Sequence, residues 1–191
     1  MISQILQAIR SLPQHHPAVV AIDGRCASGK TTLAARLKQE LRCSVFSLDD
    51  FFLRPEQRTP QRLAQPGGNV DYERFSQEIL LPWREGKPFF YRPYNCHTQA
   101  FDPAIWVSPG MLAIAEGSYS CHPALWEQAD LHLFLTVDPA VQQQRILARN
   151  GPEGWKVFQS KWIPLEERYF TAFSIPQRCE LCFDTTDSSL K

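Results

Sequence analysis

The sequence has no excess of charge of either sign. It contains 20 basic and 20 acidic residues, so its formal net charge at pH 7 is zero. Proteins that hold nucleic acid or an anionic membrane surface depend on an excess of basic side chains for their affinity. We therefore expect neither nucleic acid nor a membrane as a partner, although a local basic cluster can still bind a small anion.

The sequence also lacks an apolar run of the roughly 20 residues that cross a bilayer. Its first twelve residues carry apolar side chains at helical spacing, interrupted by Gln4, Gln7 and Arg10. A signal peptide needs an unbroken apolar centre and a small-residue cleavage site, and this segment has neither. We interpret it as a short amphipathic helix that packs on the domain.

Cysteine pairs at metal-binding spacing are nearly absent. Of six cysteines only Cys179 and Cys182 form a C-x-x-C, and no second pair accompanies them. Reduced, half-buried cysteines and a cytoplasmic location fit this usage best. Internal repeats and low-complexity segments are also missing, so we expect a single domain over residues 1–191.

Five short apolar runs have the length and composition of strands that are buried on both faces of a sheet. They cover residues 18–23, 43–48, 111–117, 131–138 and 179–184. Segments with helical periodicity alternate with them, at 30–41, 72–81, 138–150 and 155–173. The last of these helices should bend or break at Pro164. The alternation predicts an α/β fold of three layers, with a mostly parallel five-stranded sheet and helices on both of its faces.

Two proline-rich stretches, 54–70 and 82–109, are too long to be simple connections. Long ordered loops in compact domains usually carry function. We expect the region from about 54 to 109 to bind one of the substrates, with residues 87–103 forming short extended pieces or a hairpin.

The segment GRCASGKT, residues 24–31, is a complete Walker A pattern between a predicted strand and a predicted helix. Its glycines allow a tight loop whose backbone N–H groups point at phosphate oxygens. Lys30 is expected to reach the β- and γ-phosphates, and the Thr31 hydroxyl to coordinate Mg²⁺. The predicted nucleotide-binding residues are Gly24, Ala27, Ser28, Gly29, Lys30, Thr31 and Thr32.

Acidic residues follow two other predicted strands. Asp49 and Asp50 end the second strand, and Glu116 ends the third. Ligands of open α/β sheets bind at the carboxyl ends of the strands, so these carboxylates should lie near the phosphate loop. We predict that Asp49 accepts the proton of an attacking hydroxyl, and that Thr31, Asp49 and Glu116 hold the metal. Lys30 completes the predicted catalytic set.

Other phosphate-loop chemistries fit less well. The Asn-Lys-x-Asp motif by which GTPases read guanine is missing, because the fourth strand ends in Val137-Asp138-Pro139. Arg145 and Arg149 share a helix face just before Asn150-Gly151-Pro152, a natural hinge. They could belong to a lid, at about 145–155, whose arginines neutralise the transferred phosphoryl group.

Taken together, five segments resemble a known family in their order along the chain. They are GRCASGKTT, SLDDFF, GGNVDYERF, the stretch around Tyr91 and Tyr94, and IAEGSY. Over about residues 19–149 the chain resembles the uridine kinase branch of the P-loop kinases, alongside phosphoribulokinase and bacterial pantothenate kinase. The resemblance implies a phosphotransferase that uses ATP and Mg²⁺ and a small hydroxyl-bearing acceptor, most simply a nucleoside.

The same resemblance implies roles for individual residues. Asp49 falls on the catalytic base of the family and Glu116 on its second strand-end acid. Asp71 falls on a carboxylate that binds acceptor hydroxyls, and Tyr91 lies in the acceptor-binding stretch together with Tyr94 and His97.

The chain departs from uridine kinases in that stretch. Their Tyr-Asp-x-x-x-His motif is replaced by Tyr91-Arg92-Pro93-Tyr94-Asn95-Cys96-His97. Arg92, with arginines 54, 58 and 62, could instead favour an acceptor that bears a carboxylate or phosphate, such as pantothenate or a sugar phosphate. A nucleotide-binding regulator without transfer activity and an ATPase that drives a partner are further alternatives. A homo-oligomer is compatible with the sequence.

Overall fold

The computed structural model describes residues 1–13 and 15–187 of the chain. The strands are β1 (Ala18–Gly24), β2 (Ser44–Ser47), β3 (Phe89–Tyr91), β4 (Tyr94–Asn95), β5 (Ala100–Phe101), β6 (Ile105–Val107), β7 (Leu112–Glu116), β8 (Leu131–Thr136) and β9 (Leu181–Asp184). The helices are α1 (Ile2–Arg10), α2 (Lys30–Leu41), α3 (Pro60–Leu63), α4 (Tyr72–Phe75), α5 (Leu81–Arg84), α6 (Pro123–Trp126), α7 (Pro139–Val157), α8 (Ile163–Phe173) and α9 (Ile175–Arg178).

The central sheet has five strands in the order β2-β7-β1-β8-β9, and every pair in it is parallel. The register sets Ile22 of β1 beside Glu116 of β7, and Ser47 of β2 beside the same glutamate. The carboxyl ends of these three strands therefore meet at one edge of the sheet.

Alternating side chains of β1 pack on opposite faces of this sheet, which produces three layers. Val19 and Ala21 belong to one apolar cluster, which also contains Trp83 of α5. Val20 and Ile22 belong to a second cluster, built with residues of α1 and α2. Helices thus cover both faces, and the predicted α/β fold with a five-stranded parallel sheet is confirmed.

The predicted elements agree with the structure except in the long C-terminal helix. All five sheet strands and the N-terminal helix form where the periodicity predicts them. The predicted helix is not broken at Pro164, because the chain is helical on both sides of that proline. The five residues before α8, Phe158–Trp162, form a π-helix, an irregularity that suits the missing N–H of a proline inside a helix. A bend at Pro164 stays a prediction. The backbone departs from helical geometry at Gly151 (φ 69°, ψ −179°).

Residues 89–107 form two nested antiparallel pairs, β3 with β6 and β4 with β5. This confirms the hairpin-like excursion expected for the second proline-rich stretch. Its inner side joins the core, since Tyr91 packs against the rings of Phe46 and Phe51. The hairpin is thereby fixed to the sheet beside β2.

Asp23, near the end of β1, is fully buried and binds four donors. Its carboxylate accepts hydrogen bonds from the backbone N–H groups of Gly24, Tyr119 and Cys121 and from the hydroxyl of Tyr169. Burial raises the pKa of the Asp23 carboxyl to about 6, although the N–H donors and the charge of Lys30 act in the opposite direction. This side chain joins β1, the turn after β7 and helix α8.

Among the described residues, no helix has the length and the apolar character that crossing a membrane requires.

We expect the contribution of Asp23 to stability to depend on pH. A buried acid whose pKa rises from 3.8 to about 6 on folding stabilises the fold fully below about pH 4, and this contribution is lost as the pH rises through 6. The free energy of unfolding of the wild type minus that of Asp23→Asn should therefore fall by roughly 2 to 3 kcal/mol between pH 4 and pH 7. Urea denaturation of both proteins at the two pH values measures this. A difference that stays constant or grows with pH would contradict it.

Candidate functional site

The Walker A segment forms a closed loop between β1 and α2. Gly24 has φ 140°, and a Cβ atom there would lie 2.1 Å from the carbonyl oxygen of Leu135, so only glycine fits. Ala27 and Gly29 also have positive φ values, 60° and 93°. The loop leads directly into α2, whose N-terminal N–H groups and helix dipole favour an anion.

Lys30 and Thr31 extend from the first turn of α2 toward the sheet edge. Lys30 is only 8% exposed, and its ammonium donates to the carbonyl oxygens of Gly24 (2.8 Å) and Arg25 (2.9 Å). The Thr31 hydroxyl donates to Oε2 of Glu116 at 3.1 Å. Burial raises the pKa of the Glu116 carboxyl, whereas hydrogen bonding and the charge of Lys30 lower it and the charge of Asp49 raises it. The charges of Lys30 and Asp49 therefore both act on the Glu116 carboxylate.

A large cavity, about 1080 Å³ in volume, adjoins the loop. Such a volume is at the upper end of the range for small-molecule sites. The structure brings ten of the predicted site residues to its wall: Ala27, Gly29, Lys30, Thr31, Thr32, Asp49, His97, Glu116, Arg145 and Arg149. The cavity therefore joins the phosphate loop, the strand-end carboxylates and part of the hairpin.

Asp49 lies in a 3₁₀ turn, Leu48–Phe51, that follows β2. Its backbone N–H donates to the hydroxyl of Ser47, and its side chain is exposed on the cavity wall. The neighbouring Asp50 is half-buried and does not line the cavity. Burial raises the pKa of Asp50, and the charge of Asp49 adds to this, while Arg74 opposes it.

Five predicted site residues lie outside the cavity wall. Gly24 and Ser28 belong to the phosphate loop, where both residues are buried. Asp71 is buried, caps α4 by accepting from the N–H of Arg74, and binds the side-chain amide of Gln57 at 2.7 Å. Tyr91 and Tyr94 are 8% and 4% exposed and pack in the core. A role for these residues in acceptor binding stays a prediction.

The two arginines of the predicted lid differ in their contacts. Arg145 donates to the carbonyl oxygens of Ala27 (3.2 Å) and Thr185 (2.7 Å), so it fastens α7 to the phosphate loop. Arg149 is exposed and lies over the ring of Phe158, 5.6 Å from its centroid. The helix break at Gly151 coincides with the hinge predicted from Asn150-Gly151-Pro152. Closure of a lid stays a prediction.

No family model and no curated protein matches the sequence, but solved structures match the fold. One is a possible uridine kinase from Bacillus stearothermophilus, with a TM-score of 0.72 and 20% identity over 96% of this chain and 97% of that one. The chain has the P-loop kinase fold. A proposed fructose transport system kinase from Silicibacter sp. TM1040 gives a TM-score of 0.71 at 18% identity, covering 96% of this chain and 98% of that one. The D-glycerate 3-kinase of Cryptococcus neoformans gives 0.58 at 17% identity, covering 87% and 84%.

The residues of this P-loop kinase fold suit Mg²⁺ bound to a nucleotide. In the part of the chain that the structure describes, no group of three or more His, Cys, Asp or Glu side chains is arranged to hold a metal ion. Mg²⁺ in kinases takes most of its ligands from phosphates and water and only one or two from the protein. The hydroxyl of Thr31 beside the carboxylate of Glu116 supplies such a pair.

Glu166 of α8 contacts the phosphate loop, although no sequence pattern indicates it. Its carboxylate accepts from the backbone N–H of Cys26 at 2.8 Å and from the hydroxyl of Ser118 at 2.6 Å. The side chain is buried and lines the cavity. In the sequence it is one of two adjacent glutamates in a helix, and nothing in that pattern separates it from its neighbour Glu167, which pairs with Arg25.

We expect Glu166→Ala to lower the free energy of unfolding by about 1 to 3 kcal/mol, because it leaves the buried N–H of Cys26 without an acceptor and the hydroxyl of Ser118 with only the carbonyl oxygen of Gly24. Glu166→Gln keeps an amide oxygen for the N–H of Cys26 and should cost less. Urea denaturation of the three proteins measures both effects. Equal stability of wild type and Glu166→Ala would show that the contact contributes nothing.

Proposed function

We propose that the protein is an ATP-dependent phosphotransferase that moves the γ-phosphate to a hydroxyl of a small molecule. The observation that carries this proposal is one cavity lined by Lys30 and Thr31 of the phosphate loop and by the carboxylates of Asp49 and Glu116. Phosphoryl transfer needs little covalent chemistry beyond positioning and charge neutralisation, and these four groups can supply both.

The donor half of the site consists of the loop and the sheet edge. The Lys30 ammonium, now held by two loop carbonyls, can turn to the β- and γ-phosphate oxygens, and the loop N–H groups cradle them. Thr31 and Glu116 would hold Mg²⁺, with Asp49 helping to order it. When bound, the ion neutralises charge on the transferred phosphoryl group and the leaving ADP.

The acceptor half is built around Asp49. Its carboxylate, exposed to the cavity, orients an acceptor hydroxyl and takes its proton. The hydroxyl oxygen forms a bond to the γ-phosphorus while the bond between that phosphorus and the β,γ-bridging oxygen breaks. The phosphorylated acceptor and ADP are the products.

The identity of the acceptor is a finer proposal. The resemblance to uridine kinases favours a nucleoside, and the departures in the stretch after Tyr91 favour an acidic metabolite. The three named structures with this fold bear the names of kinases for different acceptors, so the fold itself leaves the choice open. A small-molecule acceptor, a cytoplasmic location and the absence of nucleic-acid and membrane partners remain part of the proposal.

A regulator that binds nucleotide without transferring phosphate is the second candidate, and a partner-driven ATPase the third. The exposed carboxylate of Asp49 in the cavity favours transfer, because binding alone needs no proton acceptor. An ATPase would instead hydrolyse ATP without any acceptor.

The variant Asp49→Asn separates these functions. We expect it to keep most of its affinity for ATP·Mg²⁺, since Lys30, Thr31, Glu116 and the loop are unchanged and an asparagine oxygen can still face the ion. Transfer should fall by about 10²- to 10⁴-fold, the usual contribution of a general base. Isothermal titration with a non-hydrolysable ATP analogue measures binding. A coupled ADP assay with a panel of hydroxyl-bearing acceptors measures transfer.

Asp50→Asn is the matched control, because Asp50 is the adjacent carboxylate and does not line the cavity. It should retain transfer. Unchanged transfer in Asp49→Asn would remove that residue from the role of base. ATP binding by the wild type without transfer to any acceptor would favour the regulator.

A further inference from the structure

The acceptor loops are rich in arginine, and the fold uses most of these side chains. Arg54 binds Gln57 and pairs with Glu56. Arg62 pairs with Glu73 and also donates to the carbonyl oxygens of Gly68 and Val70.

Arg74 and Arg92 are likewise occupied by neighbouring loop groups. Arg74 donates to the carbonyl oxygens of Asp50 and Arg92, both at 2.7 Å. The guanidinium of Arg92 donates to the carbonyl oxygens of Phe101 and Asp102. The substitution that distinguishes this chain from uridine kinases at position 92 therefore closes the hairpin, and Arg92 does not line the cavity.

Arg58 differs from these four arginines. Its Nε donates to the carbonyl oxygen of Leu53 at 3.0 Å, which fixes the direction of the side chain. Within the described residues its two terminal nitrogens have no carboxylate partner and no hydrogen bond, and the side chain lines the cavity. The bidentate edge of a guanidinium, the edge that binds carboxylates and phosphates, is thus free.

A second cation lines the same cavity, and the ring contact between Phe52 and Trp162 brings its segment beside the loop that carries Arg58. Lys161, in the segment between α7 and α8, has no carboxylate partner in the described part of the chain and lies 4.5 Å from the ring of Trp162. The thiol of Cys96, which also lines the cavity, lies within range of both cations. Partial burial raises its pKa, the charges of Arg58 and Lys161 lower it and that of Asp49 raises it. Both cations therefore act on one point beside the proposed base.

We infer that the acceptor is a small hydroxylated anion whose carboxylate or phosphate binds Arg58 and Lys161, with its hydroxyl at Asp49. This inference rests on the proposed function, because it assigns the acceptor of that same site. It also assigns recognition of the acceptor's anionic group to Arg58 and not to Arg92, the residue at which the sequence departs from uridine kinases.

The nucleotide does not need these two cations. Lys30, the N–H groups of the phosphate loop and Mg²⁺ are available for the phosphates of ATP. Arg149, which lines the same cavity, adds a second positive side chain, whereas Arg145 is already bound to carbonyl oxygens. Arg58 and Lys161 remain for a second anion.

The surrounding wall strengthens the attraction. Phe52 and Trp162 contact each other, with ring centroids 5.8 Å apart, and both line the cavity together with Leu63. Apolar walls lower the local dielectric constant and focus the field of exposed cations. His97 adds a further polar side chain at this end.

The test compares acceptors that differ in charge and little else. Coupled ADP assays with ATP and Mg²⁺ would use D-glycerate against glycerol, ribose 5-phosphate against ribose, and uridine as a neutral nucleoside. We expect kcat/KM to be at least tenfold higher for an anion than for its neutral counterpart. Whether D-glycerate or ribose 5-phosphate is preferred tells a carboxylate from a phosphate. Shifts in Tm with a non-hydrolysable ATP analogue measure binding without turnover.

The variants Arg58→Gln and Lys161→Gln should each raise KM for the preferred anion by about tenfold to a hundredfold, the loss expected when a hydrogen bond to a charged group is removed. KM for ATP should stay unchanged. Arg58→Lys should retain part of the affinity. Arg36→Gln, an exposed arginine on α2 outside the cavity, is the matched control and should behave as wild type.

Three results would overturn the inference: better use of the neutral acceptors, an unchanged KM in both glutamine variants, or neither turnover nor binding of any anion in the panel. Preferential transfer to a neutral acceptor would overturn the inference and leave the proposed kinase function intact. Loss of ATP binding in the wild type would instead contradict the proposed function.

Discussion

The carboxylate of Asp23 is the interaction on which the site geometry depends. It binds the N–H of Gly24, two N–H groups of the turn after β7 and the hydroxyl of Tyr169, so three separate segments share one buried anion. Burial opposes its ionisation and four donors favour it, and these opposing effects leave its pKa near the physiological range. Glu166 of α8 makes a second link of this kind, from the N–H of Cys26 in the loop to the hydroxyl of Ser118 in the turn after β7.

The sequence could predict the donor half of the site because its determinants are local. Gly24, Gly29, Lys30 and Thr31 lie within eight residues, and their conformations follow from glycine geometry and from the start of a helix. Glu116 was predictable from a different rule, since an acidic residue that ends a buried strand must face the edge at which ligands bind. The parallel register then sets it beside β1 and β2.

The acceptor half was less predictable because it depends on which partners the loop side chains find. Arg54, Arg58, Arg62 and Arg92 look alike in sequence, yet only Arg58 faces the cavity. The other three donate to side-chain or backbone carbonyl oxygens of the loops. The contact of Glu166 with Cys26 spans 140 residues, and no local pattern could indicate it.

Two long-range contacts hold the C-terminal helices, which line part of the cavity, against the phosphate loop. Arg145 binds the carbonyl oxygen of Ala27, and Glu166 binds the N–H of Cys26. The helical segment between them, which contains the break at Gly151 and carries Lys161, is therefore fastened at both ends to adjacent residues of the phosphate loop. We therefore expect a rearrangement of that loop around a phosphate to act on both ends of the segment, with the backbone changing at Gly151, where it already departs from helical geometry.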